Sequence, residues 1–224
     1  MGCVKMTTLY LIRHAQAEGN IKRIFQGHTD AYISECGKVQ LERLKTRFEN
    51  IPFDVIYSSP LKRAFETAQA VNSLMKKEII INEDLIEING GKFEGERWDD
   101  LPDLFPNEYE LWANNHGEFA APDGESMPEV YDRMKNAINT IVKNNTGKTI
   151  VVVSHGCAIR NYLCYAMGNC VTEIDEVDWC DNTAISKIGF DEDLNPRIEL
   201  LNDASHLDSD ISTLAKQTWW QRKK

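Results

Sequence analysis

The chain has 224 residues, 42% of them hydrophobic and 27% charged, with a formal net charge of −10. That length suits one domain with a sizeable core, and the acidic surplus excludes the broad cationic footprint that nucleic acid requires. No long apolar segment follows the first residues, so neither a signal peptide nor a membrane span is expected. Met1-Gly2 opens like a myristoylation signal, but Met6 stands where Ser or Thr is needed. The six cysteines, Cys3, Cys36, Cys157, Cys164, Cys170 and Cys180, form no Cys-x-x-Cys pair. Reduced thiols in a cytoplasmic protein are therefore expected. None is followed six positions later by Arg, which closes the cysteine-phosphatase route to phosphate chemistry.

Taken in order, strand and helix patterns alternate. Leu9 to Ile12 reads as a buried strand that ends abruptly in Arg13-His14, with Gly19-Asn20 breaking the pattern beyond. Arg offers a planar fork of donors for phosphate oxygens, and His a nitrogen that serves as nucleophile or base near neutral pH. By itself the dipeptide is equally an ordinary strand end. Ile21 to Ile33 reads as a loop holding Phe25-Gln26-Gly27-His28-Thr29-Asp30. Ser34 is placed as the cap of a helix carrying Leu41, Leu44 and Phe48, which Asn50-Ile51-Pro52 stops.

Asp54 to Ser58 predicts a second strand. Ser59-Pro60 then predicts a helix start with Ser as cap, and Leu61, Ala64, Ala68, Val71 and Met75 as its buried stripe. Arg63 falls in the first turn, where a surface ion pair is the plainer role. Glu78 to Asn82 is a third strand, leading into Leu85-Ile86-Glu87-Ile88 and the glycines Gly90, Gly91 and Gly95. A carboxylate set between apolar neighbours suits proton transfer, and on the residues alone Glu94 competes with Glu87.

The stretch 96–125, rich in acids and in Trp98, Phe105, Tyr109, Trp112 and Phe119, is too aromatic for a linker and reads as an insertion with short helices. Ser126-Met127-Pro128-Glu129 fits a capping box for a long amphipathic helix closed near Gly147. Thr149 to Val153 is the most β-like run and ends in Ser154-His155-Gly156, with a helix behind it. Asn182 to Phe190 reads as one more strand, and Asp191-Glu192-Asp193 with Asn195-Pro196 as a hairpin turn rather than an aspartate nucleophile. Residues 1–203 form the expected domain, and 204–224 a polar tail in which Trp219-Trp220 either dock or stay disordered.

If the sheet is mostly parallel, as alternating elements imply, Arg13-His14, Arg63, Glu87 and His155 all converge at the carboxyl edge, where such sheets bind ligands. Two Arg, two His and one Glu make a pocket for a dianion with a nucleophile and a proton donor.

These segments resemble the histidine phosphatase superfamily, the phosphoglycerate mutase-like proteins. Leu11-Ile12-Arg13-His14 with Glu18 and Asn20 is similar to that family's Arg-His-Gly signature, and Phe25 to Asp30 to its next loop. Ser58-Ser59-Pro60-Leu61-Lys62-Arg63-Ala64 resembles its second-arginine segment, and Glu87 to Gly95 its acid loop, which selects Glu87 over Glu94. Pro122 to Ser126 and Val153-Ser154-His155-Gly156 complete a match running from about Thr7 to Phe190 in the family's order. One departure is Ala15, where the signature has Gly. The resemblance implies a three-layer α/β/α sandwich with a mostly parallel mixed sheet and the first strand central.

It also implies a mechanism. His14 would carry a phosphohistidine; Arg13, Arg63 and His155 would hold the phosphoryl oxygens, with Asn20, Gln26 and Gly27 lining the substrate site. Glu87 would protonate the leaving oxygen and then take a proton from water. No metal and no cofactor are expected, and His28, His116 and His206 are scattered, with only His28 placed near the pocket mouth. The expected function is a phosphomonoester hydrolase acting on a small phosphorylated metabolite, with no nucleic acid or membrane partner and scope for a homo-oligomer. The alternatives are a cofactor-dependent phosphoglycerate mutase or a non-catalytic phosphate-binding module. The mutases carry a Trp-Arg-Leu-Asn-Glu-type segment, whereas Lys92 to Asp100 resembles the phosphatase branch. The acidic stretch 96–125 is expected to overhang the pocket, disfavouring polyanions and offering its rings to an aromatic leaving group.

Overall fold

A computed structural model describes residues 6–216. In chain order the elements are β1 (Thr7–Arg13), α1 (Glu18–Lys22), α2 (Glu35–Phe48), β2 (Val55–Ser58), α3 (Lys62–Val71), β3 (Ile79–Ile81) and α4 (Leu101–Leu104). There follow α5 (Pro106–Asn114), α6 (Met127–Asn144), β4 (Thr149–Ser154), α7 (Gly156–Ala166), β5 (Ile185–Phe190), β6 (Pro196–Asp203) and α8 (Thr213–Lys216).

The strands form one six-stranded sheet in the order β3-β2-β4-β1-β5-β6. The first four are mutually parallel, while β5 runs against β1, and β6 against β5. β4 shows why this sheet needs two covers. Ile150 and Val152 point into one apolar cluster with α6 and α7, and Val151 and Val153 into another with α2 and α3. A strand buried on both faces reads as a continuous apolar run rather than an alternating one. The result is the expected three-layer α/β/α sandwich, with β1 and β4 at its centre.

Register then builds the site. Arg13 pairs with Ser154, and Ser58 with Val153, so β1, β4 and β2 end level at one edge. The capping readings hold at Ser34, whose hydroxyl accepts from Gly37 N, and at Ser126, which forms a reciprocal box with Glu129. They fail at Ser59: α3 starts at Lys62 with Leu61 in the cap position and no side-chain cap. The segment expected as loop from Ile21 opens inside α1, which ends at Arg23 in a left-handed conformation. The hairpin after β5 is present, with Asp191 Oδ1 accepting from Asp193 N and Asn195 N. Its second strand, β6, is a finding of the structure.

Between β6 and Lys216 the chain lies against the body. Thr213 is buried, and Thr213 N and Leu214 N both donate to Asp181 Oδ1. The expectation for Trp219-Trp220 falls outside the described residues.

Candidate active site

β1 ends by carrying Arg13 and His14 into the edge of the sheet, both nearly buried. His14 N donates to Ser154 O at 2.9 Å, so the turn is held by the end of β4. The His14 ring places Nδ1 2.7 Å from Ala15 O. A carbonyl only accepts, so Nδ1 carries the proton and Nε2 keeps its lone pair in the neutral ring. Burial, then Arg63 and Arg13, hold the His14 pKa well below its ordinary value, which keeps that lone pair available. Ala15 is accommodated without left-handed backbone, and its amide donates to Thr67 Oγ1.

Arg13 is braced from the far side of β1. Its Nη1 donates to Cys180 O at 2.6 Å, Asn182 Nδ2 donates to His14 O, and Thr183 N donates to Arg13 O. Thr183 takes a positive φ of 59° to do so, a costly conformation for a β-branched residue. Gly156 leaves room for the guanidinium, since a Cβ there would lie 3.2 Å from Arg13 Nε.

Arg63, 1% exposed, faces the same turn from α3. Its Nη1 donates to Thr29 O, and its Nη2 to Gln26 O and Gly27 O, so the guanidinium organises the loop after α1. Burial lowers its pKa to about 10, against the pull of Glu87, Asp30 and Glu94, so it stays protonated at neutral pH. Glu94 finishes the same loop: it accepts from His28 N, Gly90 N, Thr29 N and Thr29 Oγ1. Glu94 is a structural tie.

Glu87 has a different setting. Its Oε1 accepts from Ile88 N and Ala158 N, and its Oε2 from Cys157 N. Two of those amides open α7, so the carboxyl sits where the helix terminus favours negative charge. The apolar neighbours read from the sequence are thus replaced by amide donors. Each oxygen has two lone pairs; both on Oε1 are engaged and one remains on Oε2. Arg133, on α6, fixes the loop by donating to Asp84 O, Ile86 O and Glu87 O while pairing with Glu125.

His155 is the cap residue of α7, fully buried, its ring centre 5.1 Å from that of His14. Burial and then Arg63, His14 and Arg13 depress its pKa. Arg13 Nε, Arg63 Nε and His155 Nδ1 are buried without a hydrogen-bond partner. Unpaired guanidinium N–H groups close to His14 suit the oxygens of a phosphoryl group.

The cavity wall contains Arg13, His14, Asn20, Gln26 and Glu87, together with Gly156, Cys157 and an apolar set: Ile24, Phe25, Ile88, Trp98, Trp112 and Trp179. Arg63 and His155 adjoin the wall residues Arg13 and His14, and Gly27 is not among the wall residues. Asn20 has its Oδ1 turned to Ala17 N. Gly27 is required by space: a Cβ would meet Glu94 Oε1 at 2.1 Å and Ile88 O at 2.3 Å. His28 is not among the wall residues but donates from Nε2 to Glu87 O, whereas His116 and His206 pair elsewhere, with Asp175 and Thr183.

Trp98 and Trp112 come from the aromatic stretch, and their rings also pack with Phe25 and Phe119. One segment therefore supplies both a private core and part of the wall. Its acids are absent from that wall; Asp99 pairs with Arg23 and Arg97, and Asp123 with Lys92. Sequence reasoning missed Trp179, Cys180 and Asn182, because only the antiparallel run of β5 brings the segment before it to this edge. It also missed Arg133, which lies on the amphipathic helix as an ordinary surface charge.

Cationic donors gathered around a neutral histidine at the carboxyl edge of such a sheet mark a phosphate-handling enzyme. Comparison with known proteins narrows the class. The chain belongs to the histidine phosphatase superfamily, whose branch 1 family model matches residues 9–204, and it is a phosphatase of that superfamily. It is 33% identical over 202 residues to phosphoserine phosphatase 1 of Hydrogenobacter thermophilus, covering 90% of this chain and 95% of that one. Among solved structures it resembles Bacillus stearothermophilus YhfR, with a TM-score of 0.86 at 28% identity, over 90% of this chain and all of the other. An Entamoeba histolytica phosphoserine phosphatase solved with 3-phosphoglyceric acid gives a TM-score of 0.79 at 30% identity, covering 91% of this chain.

Proposed function

We propose that the chain hydrolyses small phosphomonoesters through a phosphohistidine on His14. The observation that carries this reading is the Ala15 carbonyl on His14 Nδ1, which leaves Nε2 as a lone pair on a wall shared with Glu87. The Nε2 pair forms a bond to phosphorus as the ester P–O bond breaks, and Glu87 delivers its proton from Oε2 to the leaving oxygen. Water then attacks phosphorus, its proton passes to Glu87, and the P–N bond breaks to return the pair to Nε2. Arg13, Arg63 and His155 offset the charge on the phosphoryl oxygens, with Asn20 and Gln26 beside them.

The leaving group we infer is small and uncharged or aromatic. Among the described residues of the wall, the charged side chains are those assigned to the chemistry; the rest are indoles, Phe25, isoleucines, neutral amides, Gly156 and Cys157. No cation remains to pair with a second anionic group such as the carboxylate of phosphoserine or a phosphoglycerate. A cytoplasmic location is proposed from the thiols, since the described cysteines are all free.

The test is release of phosphate from a generic aryl phosphate with chelator present. His14→Ala should lose both turnover and the phosphorus-31 signal of a phosphoenzyme; full activity in that variant would sink the assignment. Preference for an aryl phosphate over phosphoserine, 3-phosphoglycerate and a bisphosphate tests the leaving-group inference. A bisphosphate emerging as the best substrate would refute it.

A further inference from the structure

Ser59 follows β2 directly and is fully buried, yet it does not cap α3. Its Oγ lies 2.7 Å from His155 Nε2 and 3.4 Å from Leu61 N. The Leu61 amide takes one lone pair of the hydroxyl oxygen, and among the described residues the hydroxyl proton has no acceptor other than the imidazole, so it is offered to Nε2. A ring nitrogen that accepts a hydrogen bond carries no proton, and a neutral imidazole must then hold its proton on the other nitrogen. That other nitrogen is Nδ1, buried without a partner among Arg13, Arg63 and His14. The opposite tautomer would turn a lone pair toward phosphoryl oxygens, where it repels.

We propose that Ser59 is a positioning residue for phosphoryl transfer: its hydroxyl holds the His155 proton on Nδ1, making a neutral histidine a permanent hydrogen-bond donor to the phosphoryl group. This rests on the phosphatase reading for its consequence, but the proton's position is a property of the resting protein. The Ala15 carbonyl holds the His14 proton on Nδ1 as well, but there the free nitrogen is Nε2, which keeps the lone pair. Two adjacent histidines are thereby differentiated, one presenting a lone pair and the other an N–H.

His155 is faced by Arg13 and His14 from the end of β1, Arg63 from α3 and Arg133 from α6, while Glu87 binds the first turn of its own helix. Those cations oppose a positive imidazole, so the ring donates from Nδ1 at neutral pH only if the tautomer is set. Without the hydroxyl, the N–H at Nδ1 is secured only by protonating the ring. The loss should therefore be largest at neutral pH and shrink toward acid.

The experiment is nitrogen-15 NMR of the histidine rings in the intact protein, wild type against Ser59→Ala and Ser59→Thr, with pH profiles of kcat/KM on an aryl phosphate. In the wild type the His155 proton should sit on Nδ1. Ser59→Ala should shift it toward Nε2, with kcat/KM lower by up to roughly 10²–10³-fold at neutral pH, the cost of one lost preorganised donor, and partial recovery toward acid. Ser59→Thr, which restores the hydroxyl, should return the Nδ1 tautomer and the wild-type profile. A wild-type proton on Nε2 would overturn the proposal. So would an Ala variant that loses activity with its tautomer and profile shape unchanged, since Ser59 would then be merely structural. The NMR signature is read without turnover, so its outcome is separate from that of His14→Ala.

Discussion

Glu87→Gln separates proton transfer from every other role of this carboxyl. The amide oxygen can replace Oε1 and accept from Ile88 N and Ala158 N, but the amide nitrogen would then confront Cys157 N–H, donor against donor. One buried amide left unmatched costs about 1–3 kcal/mol of stability, small enough for the variant to fold. The catalytic loss is larger and selective. General acid–base catalysis is worth roughly 10²–10⁴-fold, or about 3–5 kcal/mol of barrier, and it is needed only where the leaving oxygen is strongly basic. An alkyl phosphate should therefore slow by that factor in its first half-reaction, whereas a nitrophenyl phosphate should lose about tenfold or less in the same step. The assay is single-turnover phosphoryl transfer to His14 across a leaving-group series, plotted against leaving-group pKa for both proteins. A steeper slope in the variant is the expected result. Parallel lines would show that Glu87 does not protonate the leaving group.

Three further outcomes follow from the geometry. Gly156→Ala places a methyl 3.2 Å from Arg13 Nε and 3.3 Å from Cζ, and because Cys180 O holds that guanidinium, KM for a phosphomonoester should rise several-fold more than kcat falls. Glu94→Gln should lower stability by about 1–3 kcal/mol, because the amide oxygen can keep His28 N and Gly90 N while the amide nitrogen faces Thr29 N donor to donor, without steepening the leaving-group slope; steepening would revive it as the acid. Burial holds the His116 pKa at about 4, so between pH 6.5 and that value the unfolded chain binds a proton the folded chain does not. Stability should fall as pH falls through this window, and His116→Gln should flatten the denaturant-measured slope by up to about 1.4 kcal/mol per pH unit; an unchanged slope would contradict the burial argument.

Much of this protein is written locally. The apolar run Thr149 to Val153 could only be a strand covered on both faces, and Arg13-His14, Glu87 and His155 could be placed at element ends because periodicity stops there. Caps at Ser34 and Ser126 were legible because a side chain there bonds an amide three residues on, within reach of the local chain. Ser59 carries the same local signal and went the other way. Its nearest strong partner is His155, 96 positions later, and a buried imidazole outcompetes a helix amide once β2 and β4 lie side by side.

Distance along the chain also decided what no window could show. The choice between Glu87 and Glu94 on residues alone was even; the fold turned one to the amides of α7 and the other into a tie for the loop at His28. Trp179 and Cys180 reached the site because β5 runs antiparallel, so the segment that precedes it arrives at the edge where the parallel strands finish. The sequence by itself determined which groups are present and that they stand at strand ends, since those follow from side-chain period and turn chemistry. Their protonation, orientation and order around one cavity came only from tertiary packing, because each is set by a hydrogen bond or a buried charge whose partner lies on another strand or helix.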